Sequence, residues 1–144
     1  MKQILFHWQF WALLSAFFAS LTAIFAKIGI RNINSDCATF IRTIIILIFT
    51  TLFLLVTKQF QSVRAITTKN MIFLVLSGAA ACASWLAYFR ALSMGNVSQV
   101  APIDKLSIVF VAILGCLILK EHLSIINWCG ITLIGIGALL IGVR

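Results

Sequence analysis

The segment Gln99–Ser124, QVAPIDKLSIVFVAILGCLILKEHLS, decides how the chain is read. Its second half, Leu106–Leu119, is an apolar run without a charge, most of the length of a membrane span. Its first half carries Pro102, Asp104 and Lys105, and Lys120-Glu121-His122 closes it. A helix needs about 20 residues to cross a bilayer, so this one takes the Asp–Lys pair into the span with it. An ionisable group there costs about 2.5–3.5 kcal/mol on insertion scales and generally faces a cavity or a partner.

Outward from this segment the composition has the same character. Hydrophobic residues make up 62% of the 144-residue chain and charged residues 10%, with a mean hydropathy of +1.15. A soluble domain carries about 25% charge, so an integral membrane protein is expected, without a separate aqueous domain for conventional catalysis. The net charge of +8 does not imply nucleic acid, because the basic residues punctuate apolar runs instead of covering a soluble face. Cys37, Cys82, Cys116 and Cys129 are far apart, with no metal or CxxC spacing, and the three that lie in apolar runs read as small hydrophobes. No metal or other cofactor is expected. The opening MKQILFHW leads into an apolar stretch longer than a signal peptide and without an Ala-x-Ala site, so it reads as the first retained span.

Five apolar segments emerge, at about 8–28, 36–57, 70–90, 97–119 and 123–143. They are apolar all round, unlike the short alternating strands of a membrane barrel. The expected fold is an all-α bundle of five transmembrane helices in a single domain, 1–144. Trp8, Trp11 and Trp128 stand near span entrances, as an interfacial belt does, and His7 and His122 also fall near span ends. Asp36 reads as the N-cap of the second helix, and Glu121 as a cap for the fifth. Small residues recur at four-residue spacing: Ala79, Ala83, Ala87 and Ala91 on the third helix, and Ala12, Ala16 and Ser20 on the first. Gly130, Gly135, Gly137 and Gly142 stud the fifth. Such stripes let helices approach closely in lipid.

With the N-terminus inside, the inner face receives Lys2, Lys58, Arg64, Lys69 and Lys120. The outer face receives Lys27, Arg31 and Arg144, with Arg90 at a helix end. The positive-inside bias is slight. Five is an odd number of spans, so a second copy built into one plan is inverted. Inverted repeats around a midplane site are a common transporter design, and a five-span unit reproduces it by pairing antiparallel with another copy or a homologue.

The order WALLSAFFASLTAIFAKIGI, ATFIRT, SWLAYFRAL and VAPIDKLSIVFVAILGCLILKEHLSIINWCGITLIGIGALLI resembles one EamA-type repeat of the drug/metabolite transporter superfamily. The resemblance covers nearly the whole chain. It rests on a Lys ending the first helix, an Arg early in the second and an aromatic-rich AL end to the third. A Pro opens the fourth, and a Glu-then-Leu corner precedes the fifth. Typical members carry two such repeats and move small metabolites across the cell inner membrane, so the resemblance implies a half-size transporter acting as a dimer.

On this topology Lys27, Arg42, Arg90 and the Asp104–Lys105 pair all lie towards the face opposite the N-terminus, giving one polar, predominantly basic end. Lys27 and Arg31 have snorkelling to headgroups as their plainer account. Arg42 lies deeper and needs a partner, either a cavity or Asp104 through a bidentate pair. Lys105 is about 100° round the helix from Asp104, so the two are expected to face different ways. Arg42, Asp104, Lys105, Arg90, Tyr88 and Trp85 are the candidates for substrate binding or coupling. Gly95 and Pro102 are the candidates for a hinge or gate, Pro102 by starting the fourth helix or by kinking it and freeing the Ser98 carbonyl. A basic site favours an anionic or zwitterionic small molecule. The expected function is a secondary transporter working by alternating access, as an antiparallel homodimer or a heterodimer with a homologue. The alternatives are a subunit of a lipid-carrier or phospholipid flippase and a non-transport assembly partner. No nucleophile–base pair or phosphate loop supports an enzyme.

Overall fold

The computed structural model describes residues 8–59 and 66–142, and the description below is of these. Lys2, His7, Arg64 and Arg144, which entered the charge and interface readings, lie outside the described residues, as does Val143 at the end of the fifth expected span. The chain is all-helical, in the order α1 (Trp8–Gly29), α2 (Ser35–Thr57), α3 (Thr68–Met94), α4 (Val97–Asp104), α5 (Ser107–Ile118) and α6 (Ile125–Gly142). Counting Val97–Ile118 as one interrupted span, five helices among the described residues are long and apolar enough to cross a membrane. Most of their large side chains are exposed, Trp8, Phe17, Phe49, Val56, Leu117 and Leu133 among them. Exposed apolar side chains all along the helices suit lipid as the solvent, and helices satisfy their backbone groups internally there. This is a multi-pass membrane protein.

Two compact units are distinguished, Ala26–Ser93 and the remainder of the chain. Within Ala26–Ser93, the end of α1 turns into α2 through Asn32, whose positive φ of 65° is one that asparagine tolerates better than most residues. Asn34 then caps α2. Its side-chain oxygen accepts from the backbone N–H groups of Asp36 at 2.8 Å and Cys37 at 3.4 Å. The cap expected at Asp36 therefore falls two residues earlier, because Asn34 takes the extended backbone that capping requires (φ −61°, ψ 130°). Along α2 the hydroxyls of Thr39, Thr43, Thr50, Thr51 and Thr57 all donate to carbonyls one turn back. That arrangement lets a polar side chain face lipid at little cost. The helix closes on Lys58 in the left-handed conformation. The core of this unit is small: Ile30, Thr39, Phe89 and Leu92.

In the other unit, α4 and α5 both pack on α6. Glycines set the approach. A Cβ at Gly135 would stand 3.3 Å from Val109, and one at Gly142 would stand 2.8 Å from Ile103. Among the described residues, Gly130 and Gly137 meet nothing within 4 Å. Ala79, Ala83 and Ala87 on α3, and Ala12, Ala16 and Ser20 on α1, are likewise exposed.

The fourth span contains the main departure from a straight helix. It starts at Val97, after Asn96, with Gly95–Asn96 as the whole junction from α3. Pro102 therefore lies inside α4, not at its start. Lacking an N–H, it leaves the Ser98 carbonyl without its usual donor and its ring crowds the turn before it. The chain then tightens: Lys105, Leu106, Ile108 and Val109 all donate three residues back, each at 3.0 Å. Such i→i−3 bonds mark a short 3₁₀ passage, and α5 resumes at Ser107.

At the next corner Lys120 takes a positive φ of 56°, and the Gly115 carbonyl accepts from both Leu119 and Glu121. Ser124, not Glu121, caps α6, its Oγ accepting from Asn127 N–H at 3.3 Å. Glu121 folds back on α5 instead: a Cβ at Gly115 would stand 3.0 Å from its Oε2. Two outcomes follow. Asn34→Ala should cost about 1 kcal/mol of stability and Asn34→Gly only a few tenths, measured as thermal unfolding in detergent. Gly115→Ala should displace the exposed Glu121 side chain and leave the unfolding midpoint level or higher, because glycine inside a helix costs about 0.5–1 kcal/mol relative to alanine.

Candidate functional site

Ala26–Ser93 holds most of the candidate polar groups, and its helices set each of them. Trp85 and Phe89 lie one turn apart on α3, so their rings stand side by side along one helix face. Leu92 continues that face, and Phe89 and Leu92 are both buried. Arg42 comes from α2, seven residues beyond Ser35, or about 10 Å along the axis. Its guanidinium carbon lies 4.5 Å from the Trp85 ring centroid and 5.5 Å from that of Phe89. Tyr88 stands edge-on to Phe89, with ring centroids 6.4 Å apart.

Within this unit, aromatic faces thus meet the Arg42 guanidinium. A cation over such rings gains about 0.5–1 kcal/mol when exposed and about 2 kcal/mol or more when desolvated. Stacking uses the flat face of the guanidinium and leaves its five N–H donors pointing outward from the rim. Among the described residues these donors have no hydrogen-bond acceptor. The arrangement is a half-buried, oriented cation able to accept a carboxylate or phosphate in a two-point contact.

The other charges of this end are engaged differently. Arg90 forks onto Asp36, with Nη2 to Oδ2 at 2.8 Å and Nε to Oδ1 at 3.3 Å. This bidentate pair ties the last turns of α3 to the first turn of α2. Lys27, at the end of α1, donates from Nζ to the Leu92 carbonyl, one of the acceptors that a helix leaves unpaired in its final turn. One cation therefore holds a carboxylate, one a carbonyl, and one the rings.

The remaining candidates belong to the other unit. Lys105 Nζ lies 3.4 Å from Asp104 Oδ2. The 100° separation expected from regular helix geometry does not apply, because Asp104 ends α4 and Lys105 sits in the following turn. Its flexible stem can fold back from there. Both groups flank the 3₁₀ interruption after Pro102. At the opposite end of α5, Cys116, Lys120, Glu121, His122, Leu123 and Trp128 line an open cavity of about 590 Å³. No cluster of metal-ligating side chains occurs among the described residues.

The Asp36–Arg90 pair and the Arg42 stack on Trp85 and Phe89 escaped the sequence reading, although part of the signal was present. Positions 85, 89 and 92 follow i, i+4, i+7 spacing, which marks them as one face. Nothing in that spacing says which cation lies opposite. Asp36→Asn and Arg90→Gln should each lower the unfolding midpoint, and the exchanged pair Asp36→Arg with Arg90→Asp should recover most of the loss, as read by thermal denaturation in detergent.

Comparison with known proteins adds the family. The EamA-like transporter family matches residues 6–143. A protein of Sinorhizobium sp described as an uncharacterized transporter in the cobO 3′ region is 56% identical over 136 residues, spanning 94% of this chain and 96% of that relative. No solved structure matches. With a family match over nearly its whole length and a full-length relative of this identity, the chain belongs to the EamA-like transporter family.

Proposed function

We propose that the protein is a secondary transporter of a small organic anion or zwitterion in the cytoplasmic membrane, working by alternating access as an antiparallel dimer. The observation that carries the substrate class is Arg42, stacked on Trp85 and Phe89 with its N–H rim without an acceptor among the described residues. A fixed cation within a span binds an anionic group of the solute, and the rings hold its orientation. Tyr88 and Trp85 shape the same place. Arg90 positions α2 and α3 around it through Asp36.

Three features favour a pair of chains. The match covers the relative almost end to end, so that relative is of one-repeat length, whereas typical members carry two. The charge bias is slight enough for insertion in both orientations. The alanine stripe on α3 is exposed, and small residues of this kind admit close helix approach in lipid. The interruption after Pro102 supplies a discontinuous helix, the element that transporters use near their sites. Asp104 and Lys105 beside it are the coupling groups of this reading.

Uptake into proteoliposomes, competed with panels of anionic, zwitterionic and cationic metabolites, tests the substrate class. A hydrogen bond to a charged group contributes about 1.5–3 kcal/mol, or about ten- to a hundredfold in affinity. Arg42→Gln should lose transport by about that factor and Arg42→Lys by less. Trp85→Phe should retain more than Trp85→Ala. Cationic solutes carried equally well by wild type and Arg42→Gln would overturn the assignment. Asp104→Asn should abolish pH-driven uptake while leaving the dimer intact, and unchanged uptake would remove Asp104 from coupling. A reporter fused to the C-terminus should be found on both sides of the membrane; one side alone excludes the homodimer.

A further inference from the structure

Beyond the Arg42 stack, a second basic feature lies at the end of α1. A cavity of about 470 Å³ is lined by Lys27, Ile28, Ile30, Arg31, Asn32 and Ser93, within the volume range of ordinary ligand sites. Its two charged residues are both cations, and no carboxylate lines it. The two have different roles. Lys27 is half-buried and anchored inward on the Leu92 carbonyl, so its ammonium is fixed in the wall. Arg31 is exposed, and among the described residues its guanidinium has no hydrogen-bond or ion-pair partner.

The backbone holds the two cations in register. Arg31 N–H donates to the Ile28 carbonyl at 3.4 Å, Ile33 N–H donates to the Ile30 carbonyl at 3.2 Å, and Asn32 between them adopts φ 65°. The turn is thus a closed loop of local bonds and not a floppy tail. Ser93 Oγ donates to the Arg90 carbonyl at 2.7 Å, so its oxygen is left as an acceptor and the anion's donors are Lys27, Arg31 and the Asn32 amide. The apolar walls are also unequal. Ile30 is buried at 6% exposure, whereas Ile28 is 67% exposed, so the cavity continues onto an outward apolar surface. The span α1 ends at Gly29, which places the feature at the level where a bilayer changes from hydrocarbon to headgroup.

We propose that this cavity binds a phosphate group, the ester phosphate of an anionic lipid headgroup whose chain runs past Ile28. Arg31 closes on two phosphate oxygens with its planar fork, and Lys27 supplies a fixed point charge. The site is separate from Arg42, which does not line it, and holds whether or not the transported solute is an anion.

The test titrates the purified full-length protein in a neutral detergent with short-chain phosphatidylglycerol and, in a separate arm, with inorganic phosphate, reading bound species by native mass spectrometry and the thermal midpoint. Phosphatidylglycerol should bind and raise the midpoint, with at least a tenfold weaker affinity for Arg31→Gln and an intermediate one for Arg31→Lys. Millimolar inorganic phosphate that displaces the lipid assigns the site to phosphate as such. Failure to displace it assigns part of the affinity to the chain along Ile28. Equal affinity in wild type and Arg31→Gln, or no binding of either phosphate probe to wild type, overturns the proposal. Both readouts are independent of transport, so their failure leaves the reading of Arg42 untouched, and loss of transport in Arg42→Gln leaves this one untouched.

Discussion

A guanidinium within a membrane-spanning helix has little water to hold it, so other groups must. In this protein the answer for Arg42 is a pair of rings from the neighbouring helix. The consequences spread outward through Ala26–Ser93. Trp85 and Phe89 must face α2, which fixes the rotation of α3. Arg90, one residue past Phe89, then meets Asp36 in the first turn of α2, and Leu92 offers its carbonyl to Lys27. Few apolar residues are buried in this unit. In lipid, apolar burial contributes little between helices because the surrounding chains are equally apolar. Polar and cation–ring contacts carry more of the specificity.

The other unit meets the same constraint with backbone geometry. Pro102 removes one donor from the fourth span, and beyond it the chain passes through a short run of i→i−3 bonds into a fresh helix from Ser107. Irregular backbone at membrane depth is tolerated only where other protein groups or a cavity satisfy it. The glycines of α6 admit Ile103 and Val109 close to its backbone, packing both halves of the broken span on one helix. A discontinuous span braced on a continuous one can bend at one place without losing its packing elsewhere.

The corner at Lys120–Ser124 shows how local rules select among candidates of similar chemistry. Glu121 and Ser124 can both cap α6, and Asp36 and Asn34 can both cap α2. In each case the residue directly before the first helical turn supplies the cap. Glu121 and Asp36 are diverted to longer-range contacts, onto Gly115 and Arg90. Carboxylates are few in this chain, and a shorter neutral side chain does the capping where one is present.

The sequence by itself determined the membrane class, the number of the spans and the family pattern, because an uncharged run of about 20 residues has few other solutions. It also isolated Arg42, Arg90, Asp104 and Lys105 as the residues whose charge needs explaining. What it did not contain was the choice of partner. Arg42 on Trp85 and Phe89, Arg90 on Asp36 and Lys27 on the Leu92 carbonyl each join residues more than 40 positions apart, through helix rotations that apolar faces specify weakly. Even the Asp104–Lys105 contact between neighbours depended on where the helix broke after Pro102. Only the tertiary structure decided these pairings, since in lipid the rotation of a helix is set by the contacts themselves and not by a polar face turned towards water.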